Sequence, residues 1–462
     1  MMRRFVFPSQ QQIYDHSPHW LQRILVNAEA VRREWFRRHG DYRQLVASHD
    51  PSWYYRSRDE QENWQLMQLN RLLAAVRRRV PFYRDILPDQ PLTSLADLSN
   101  IPMLHKEQIR QNPLALVADG LDRRTLWPRK TSGSTGTPLT FYLDREATRN
   151  HQAPADAMLA TLGCQFGLPR ARFSGAYVAP YTRSQPPFWI WIDLYHQLQC
   201  SAYHLAPEFY PHYIRVLRES GVIYGTGYPT AWHLLATYLL ETGDRPPTLR
   251  AIITDSEGIS IEQQMVVEQA FGCPVVQTYG TGEVGQIAWQ CEHRRYHILS
   301  RAAIAEVVDD DGRPVAPGET GQIIVTSFAS SGTPFIRYQT GDLATLAADD
   351  CPCGRHNPSW VAIEGRIDDR IKTPDGRWIG RLSHVTKPGI GIKESQIAQV
   401  ARDRIVIRVV PAADFVPASM TAVIEVARRY LGPTMQIEWE LVERLPRTRA
   451  GKLRHVVREI EV

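Results

Sequence analysis

The sequence predicts an α/β protein: a large N-terminal domain of several subdomains built on parallel-strand sheets, with a β-rich subdomain, and then a small α/β C-terminal domain. Three observations carry this. Apolar strands and helices alternate through the middle of the chain: a strand at 222–225, a helix at 230–241, a buried strand at 249–254, a helix at 260–271 with Ser260 as its cap, and a strand at 274–278. Such a βαβαβ rhythm builds a parallel sheet. The texture changes near Ala302, where 305–308 and 321–325 read as strands joined by an acidic turn at Asp309-Asp310-Asp311-Gly312. The chain ends in a unit with strands at 404–410 and 436–442 and an element at 422–426 packed beside them. The expected division is 1–365 for the large domain, with a mainly helical leading segment at 1–125 and the β-rich subdomain at 302–365, and 366–462 for the C-terminal unit.

In the leading segment, Leu21, Ile24, Leu25, Ala28 and Val31 fall at helical spacing within 20–36. Leu66, Leu69, Leu72, Leu73 and Val76 repeat the pattern, which Pro81 stops. The aromatics Phe82 and Tyr83 read as packing residues. Hydrophobic residues at 43% and charged residues at 22% are ordinary for a globular protein. The net charge of +5 is spread along the chain, and Arg32-Arg33, Arg37-Arg38 and Arg77-Arg78-Arg79 read as solvated helix faces, with no nucleic-acid-binding motif beside them. No apolar run reaches bilayer length, and the first one breaks at Pro8, so the sequence predicts no membrane association and a cytoplasmic protein.

Thr131-Ser132-Gly133-Ser134-Thr135-Gly136-Thr137-Pro138 places two glycines and five hydroxyls between strands predicted at 126–130 and 139–142. Backbone N–H groups freed by glycine, with hydroxyl donors, suit a polyphosphate. No Lys-Ser/Thr pair follows Gly136, so this is not a Walker A loop, and no G-x-G-x-x-G opens a helix. Asp255-Ser256-Glu257-Gly258 and Tyr279-Gly280-Thr281-Gly282-Glu283 each follow a predicted strand, where ligands of parallel sheets sit.

With Tyr338-Gln339-Thr340-Gly341-Asp342, Gly365-Arg366-Ile367-Asp368-Asp369 and Arg447-Thr448-Arg449-Ala450-Gly451-Lys452, these segments resemble the adenylate-forming superfamily of acyl-CoA synthetases, adenylation domains and luciferases. The closer resemblance, over nearly the whole chain, is to the branch of phenylacetate-CoA ligase, CapK-like and coenzyme F390 synthetase-like proteins. The resemblance implies ATP and Mg²⁺ as cofactors. It assigns Thr131, Ser132, Gly133, Ser134, Thr135 and Gly136 to the phosphates, Glu283 with Thr135 or Thr281 to Mg²⁺, Tyr279, Gly280, Ser256, Glu257 and Gly258 to the adenine, Asp342 to the ribose and Arg366 to ribose or phosphate. Lys452 is the expected catalytic lysine, with Glu283 as its catalytic partner. Asp368 is the expected hinge of a mobile C-terminal lid. Two positions depart from the superfamily: Leu139 stands where many members have lysine, and Gly282 stands where a hydroxyl is usual.

Cys351-Pro352-Cys353-Gly354 with Cys291 upstream fits a four-ligand structural zinc site completed by a histidine. The resemblance favours His297, with His293 as the alternative. Cys164, Cys200 and Cys273 read as buried thiols. Tyr177, Tyr181 and Tyr228 mark two aromatic-rich stretches proposed as the acyl pocket.

The resulting expectation is an AMP-forming acid-CoA ligase. It activates a carboxylic acid, of aromatic or arylacetic type by resemblance, as an acyl-adenylate and passes the acyl group to coenzyme A. Rival acceptors are an amine or a carrier-protein thiol. Two rival functions stand further off: AMP transfer to a phenolic hydroxyl, and nucleotide binding without catalysis. The branch implies a possible homodimer, and no nucleic-acid partner is expected.

Overall fold

The computed structural model describes residues 13–37, 41–130, 139–165, 167–180, 183–259, 261–309, 311–364, 371–376, 378–379, 382, 385–386, 391–411, 415–446 and 456–460. The leading segment supplies α1 (His19–Arg37), α2 (Tyr42–Ser48), α3 (Arg58–Arg79) and α4 (Lys106–Gln111). α3 begins before the helix predicted from Trp64 because Ser57 and Glu60 form a capping box, each satisfying the other's backbone N–H. Such caps contribute about 1 kcal/mol. Pro81 follows the C-cap of α3, as expected. α1 presents a different face from the one its apolar spacing suggests: Ile24 and Val31 are exposed, whereas Gln22 and Ala30 are buried. Asn27 explains the rotation, since its side chain accepts from Asp193 N at 2.8 Å and donates to Trp191 O at 3.0 Å, turning the polar side of α1 onto the sheet.

The strands are β1 (Trp127–Lys130), β2 (Thr140–Leu143), β3 (Arg170–Ser174), β4 (Trp189–Ile192), β5 (Gln197–Ser201), β6 (Tyr224–Gly227), β7 (Ile252–Thr254), β8 (Val275–Thr281), β9 (Gly285–Gln290), β10 (Tyr296–Ile298), β11 (Ala303–Val308), β12 (Thr320–Ser327), β13 (Tyr338–Leu346), β14 (Ser359–Glu364), β15 (Ile371–Lys372), β16 (Trp378–Ile379), β17 (Ile392–Ala401), β18 (Arg404–Pro411), β19 (Gln436–Leu441) and β20 (Val456–Arg458). Between them run α5 (Arg145–Asn150), α6 (Ala153–Met158), α7 (Tyr210–Glu219), α8 (Pro229–Thr242), α9 (Ile261–Phe271) and α10 (Met420–Leu431).

One sheet of 12 strands, in the order β11-β12-β13-β14-β10-β9-β8-β7-β6-β3-β5-β4, organises the molecule. β5, β3, β6, β7 and β8 pair in parallel, with α8 and α9 as crossovers after β6 and β7. From β8 onward the pairing is antiparallel. The predicted β-rich segment therefore continues the α/β sheet rather than forming a separate one, because β8 runs on past 278 to Thr281 and pairs with β9. A second sheet, β19-β18-β17-β20, carries α10 on one face through Ile405, Ile407, Val409, Met420, Val423 and Ala427. The element predicted at 422–426 is part of that helix. Tyr430 of α10 donates to Ala202 O at 3.1 Å, which ties this unit to the end of β5.

Arg337 anchors the leading segment to the sheet. It is 3% exposed, pairs bidentately with Glu306 at 3.0 and 3.1 Å and donates to Ser99 O and Ile101 O. Leu104 then bridges to Tyr338, at the start of β13.

Candidate functional site

The carboxyl ends of β3, β6, β7 and β8 meet at one edge, and the turns that leave them build the site. Gly227 closes β6 at φ +103°, where an added Cβ would strike Phe173 O. Only glycine suits that approach. Asp255 follows β7 and takes a bidentate pair from Arg172, at 2.8 and 3.3 Å. Ser256 is held at φ +73°, a left-handed conformation that is costly for a non-glycine residue, and its hydroxyl donates to Asp255 at 2.8 Å. Glu257 accepts from Thr230 at 2.6 Å at the start of α8. Gly258 completes this turn.

After β8, a Cβ at Gly280 would lie 2.4 Å from Gly285 O, so the turn needs glycine there. Gly282 differs: its Cβ would meet only the Phe141 ring, at 3.6 Å, so the site has room for the hydroxyl side chain it lacks. Thr281 Oγ1 accepts from Val284 N. Two tyrosine–carboxylate pairs flank the turn. Tyr279 donates to Asp342 at 2.8 Å, and Tyr338 donates to Glu283 at 2.7 Å. Burial and the adjoining carboxylates push both phenols well above their ordinary range, so they stay neutral donors. Glu283 itself is 3% exposed. Asp342 follows Gly341, which sits at φ +86°. Ser256, Glu257 and Gly258 after β7, Tyr279, Gly280 and Thr281 at the end of β8 with Glu283 just beyond, and Asp342 within β13 are thus brought to one region, with Tyr279 bonded to Asp342. Thr131, Ser132, Gly133, Ser134, Thr135, Gly136, Tyr181, Arg366, Asp368 and Lys452 lie outside the described residues.

Beside Gly280, Thr281 and Gly282 opens a cavity of about 750 Å³. Tyr177 lies on its wall with its hydroxyl donating to Asp15 at 2.6 Å. Tyr228 does not: its hydroxyl turns back to accept from Gly175 N at 2.6 Å. The remaining lining is largely polar and was not singled out by the sequence. Arg129, His151, Arg170, Arg172, Gln197 and Gln199 all contribute. Arg33 stands at the edge of this cavity and is exposed, in keeping with its reading as part of a solvated helix face. Burial and the nearby Arg129 hold His151 down at about 3, so the imidazole is neutral. Period-two polarity in Arg170-Ala171-Arg172-Phe173-Ser174 and Gln197-Leu198-Gln199-Cys200-Ser201 was the available signal.

Away from the cavity, Cys291, His297, Cys351 and Cys353 present donor atoms that all lie within 4.8 Å of one another. Cys291 Sγ is 3.6 Å from Cys351 Sγ, and Cys353 Sγ is 3.2 Å from His297 Nε2. A tetrahedral zinc site with S and N ligands has donor–donor edges of about 3.3–3.8 Å. His297 Nδ1 faces Asn357 Oδ1 at 3.2 Å, the second partner that orients a ligating imidazole. His297, not His293, belongs to the cluster; His293 is exposed. Burial pushes the Cys351 thiol up to about 12, and ligation would reverse this by favouring thiolate. Cys164, Cys200 and Cys273 are buried and free, as expected.

With this geometry established, comparison with known proteins is decisive. The AMP-binding enzyme family matches residues 131–329, and the CapK C-terminal domain matches residues 371–459. The chain belongs to the adenylate-forming superfamily, in its CapK and phenylacetate-CoA ligase branch. It is an AMP-forming ligase. Protein CapK of Staphylococcus aureus is 23% identical over 462 residues, covering 97% of this chain and 99% of that one. Phenylacetate-coenzyme A ligase of Thermus thermophilus is 25% identical over 322 residues, 66% of this chain and 70% of that one. Among solved structures, 2-hydroxyisobutyryl-CoA ligase in complex with 2-HIB-AMP and CoA in the thioesterification state superposes with a TM-score of 0.58 at 19% identity, over 87% of this chain and 91% of that one. At that identity the likeness concerns the fold. Among the described residues, no helix of this adenylate-forming enzyme is long and apolar enough to cross a membrane.

Proposed function

We propose that the protein activates a carboxylic acid with ATP to an acyl-adenylate, releasing pyrophosphate, and transfers the acyl group to coenzyme A. The observation that supports this most is the pairing of Tyr279 with Asp342 and of Tyr338 with Glu283 around one turn, beside a cavity large enough for a small acid. Each carboxylate accepts a hydrogen bond from a neutral tyrosine hydroxyl. Asp342 can then accept from both ribose hydroxyls. Glu283 offers a hard oxygen to magnesium, which would neutralise polyphosphate charge. Tyr279 and the 256–258 turn flank the adenine. Residues 131–136 hold the phosphates, Lys452 meets the carboxylate and α-phosphate oxygens, and Arg366 reaches the ribose or phosphate. Rotation at Asp368 of a lid formed by 366–462 brings the second half-reaction to the same place. Coenzyme A as acceptor rests on the likeness to CoA ligases.

For the acid, the aromatic class has the support of Tyr14, Tyr42, Tyr177 and Tyr195 on the cavity wall. The arginines and glutamines that share this wall support a more polar acid. We also propose that Cys291, His297, Cys351 and Cys353 bind one structural zinc.

Pyrophosphate release with ATP and Mg²⁺, measured across a panel of acids with and without coenzyme A, tests this reading. The expected result is a stoichiometric burst with the right acid that becomes turnover when coenzyme A is added. A burst that coenzyme A leaves unchanged would point to an amine or carrier-protein acceptor. AMP formed on a phenol without any acid would overturn the reading.

A further inference from the structure

The chemistry of the acid can be read further from the cavity wall, provided that the protein adenylates an acid at all. β3 and β5 lie inside the large sheet, where parallel strands ordinarily read as continuous apolar runs because both faces are covered. These two are apolar on one face only. Ala171, Phe173, Leu198 and Cys200 enter the core. On the other face Arg170 stands opposite Gln197, and Arg172 opposite Gln199. All four of these polar residues line the cavity. Burying such groups against a second layer costs free energy unless each finds a partner.

The partners on this wall leave a particular remainder. Arg170 Nε donates to Gln197 at 2.9 Å, and Gln197 donates to Gln199 at 2.8 Å. The carboxylates on the wall are already engaged: Asp255 by Arg172 at 2.8 Å, Asp156 by the Tyr42 hydroxyl at 2.7 Å, and Glu29 by Arg33 at 2.8 Å. Among the described residues, Arg129 and Arg170 form no direct ion pair with a carboxylate, although Glu283 lies near enough to Arg129 to act on it through space. Arg129 lies on β1 and its charge is felt by both His151 and Glu283, which places it at the adenylating end. Arg170 opens β3, about 13 Å of strand away from Ser174 and the edge where the turns meet. The cavity therefore offers one guanidinium near the proposed reaction centre and a second on its wall at the other end of β3. The first suits the reacting carboxylate. An unsubstituted alkyl or aryl acid would leave the second with only neutral partners, Gln197 and the nearby Tyr224 hydroxyl, and no charged or incoming acceptor.

We infer that the acid activated here carries a further acceptor oxygen, carboxylate or hydroxyl, at the end remote from the reacting carboxylate, and that Arg170 on the cavity wall recognises it.

The test uses the full chain with ATP and Mg²⁺ and length-matched acids of four, six and eight carbons, each as the plain alkanoate, the ω-hydroxy acid and the dicarboxylate, with phenylacetate alongside. Pyrophosphate release is read as kcat/KM. The expected result is a preference of at least about 100-fold for an ω-hydroxy acid or a dicarboxylate over its plain counterpart and over phenylacetate, because a site built to hydrogen-bond rejects a substrate that lacks the group. Preference for the dicarboxylate would identify a carboxylate as the remote group, and preference for the ω-hydroxy acid a hydroxyl. Arg170→Met should cut that preference at least about tenfold through KM for the acid, leaving KM for ATP unmoved, and Arg170→Lys should restore part of it. If plain alkanoates or phenylacetate win, the inference is overturned while adenylation stands. If no acid releases pyrophosphate although ATP binds in titration, the adenylation reading fails and takes this inference with it. The wild-type preference alone decides the matter should Arg170→Met not fold.

Discussion

The two sides of the Gly280–Glu283 turn treat buried charge in opposite ways. On the proposed nucleotide side, the carboxylates of Asp342 and Glu283 each accept from a tyrosine hydroxyl. On the cavity side, arginines outnumber the carboxylates free to pair with them, and Arg129 and Arg170 are left over. A neutral donor fixes a carboxylate without cancelling its charge. A guanidinium without a carboxylate likewise keeps its charge for an incoming oxygen. On the proposed reading, negative charge is kept where a metal and ribose hydroxyls would bind and positive charge where an acid would enter. A structural ion pair such as Arg337–Glu306 shows the contrast, because there both charges are spent on holding the fold.

The largest effect should come from breaking the negative side. Glu283→Gln keeps an oxygen for Tyr338 to donate to but removes the charge. Acid-dependent pyrophosphate release should fall by about a thousandfold or more, on the scale seen when a key electrostatic group is lost. Near-wild-type rates at saturating Mg²⁺ would show that Glu283 is neither a magnesium ligand nor a catalytic group.

Arg337→Met tests the structural pair. It leaves Glu306 buried and unpaired, so the urea midpoint should report a loss of about 3–5 kcal/mol at neutral pH. Burial already raises the Glu306 pKa, and Arg337 opposes that rise. Without Arg337 the pKa climbs further. The destabilisation is therefore full above the raised pKa and shrinks as pH falls through it toward the ordinary carboxylate range, where Glu306 is protonated in both states. A deficit independent of pH between 7 and 5 would contradict this.

The cysteine–histidine cluster lies apart from both sides and serves as a control. Protein purified with zinc present should carry about one equivalent, and Cys353→Ser should lose it, with a lower melting temperature. Because none of the four ligands lines the cavity, acid preference in the surviving folded fraction should be unchanged. Metal content that does not change on Cys353→Ser would dismiss the site.

The smallest effect is expected at Gly282. Open space around its position means that Gly282→Ser should fold, and the rate of adenylation should change by no more than about threefold. A large gain would show that the missing hydroxyl limits the enzyme, and a large loss that the turn needs glycine here as it does at Gly280.

The ligand edge was legible in the sequence, for definite reasons. Turn residues after buried strands announce such an edge without any contact information, and that logic pointed to Ser256, Tyr279 and Glu283, whereas Asp342 was reached only through the family resemblance. The cysteine–histidine cluster was legible because thiol spacing constrains geometry locally, and the resemblance already favoured His297 over His293, which the β10 pairing places among the three thiols. The cavity was not legible. Tyr228 looked like a pocket aromatic, but its hydroxyl is consumed by Gly175 N, a partner 53 residues away. Arg170 and Gln197 become neighbours only once β3 and β5 pair in parallel. Short strands of mixed polarity give little local signal. The rotation of α1 was hidden in the same way, since Asn27 seats it through contacts with β4 and Asp193.

Acid activation stands or falls on the intermediate, which can be isolated. The protein would be mixed with α-labelled ATP, Mg²⁺ and the preferred acid, without coenzyme A, then acid-quenched and separated. About one equivalent of acyl-adenylate per protein should form, with matching pyrophosphate and no ADP, and it should convert to AMP and thioester on adding coenzyme A. Label found in ADP, or covalently on the protein with no acyl-adenylate, would rule out activation through an acyl-adenylate.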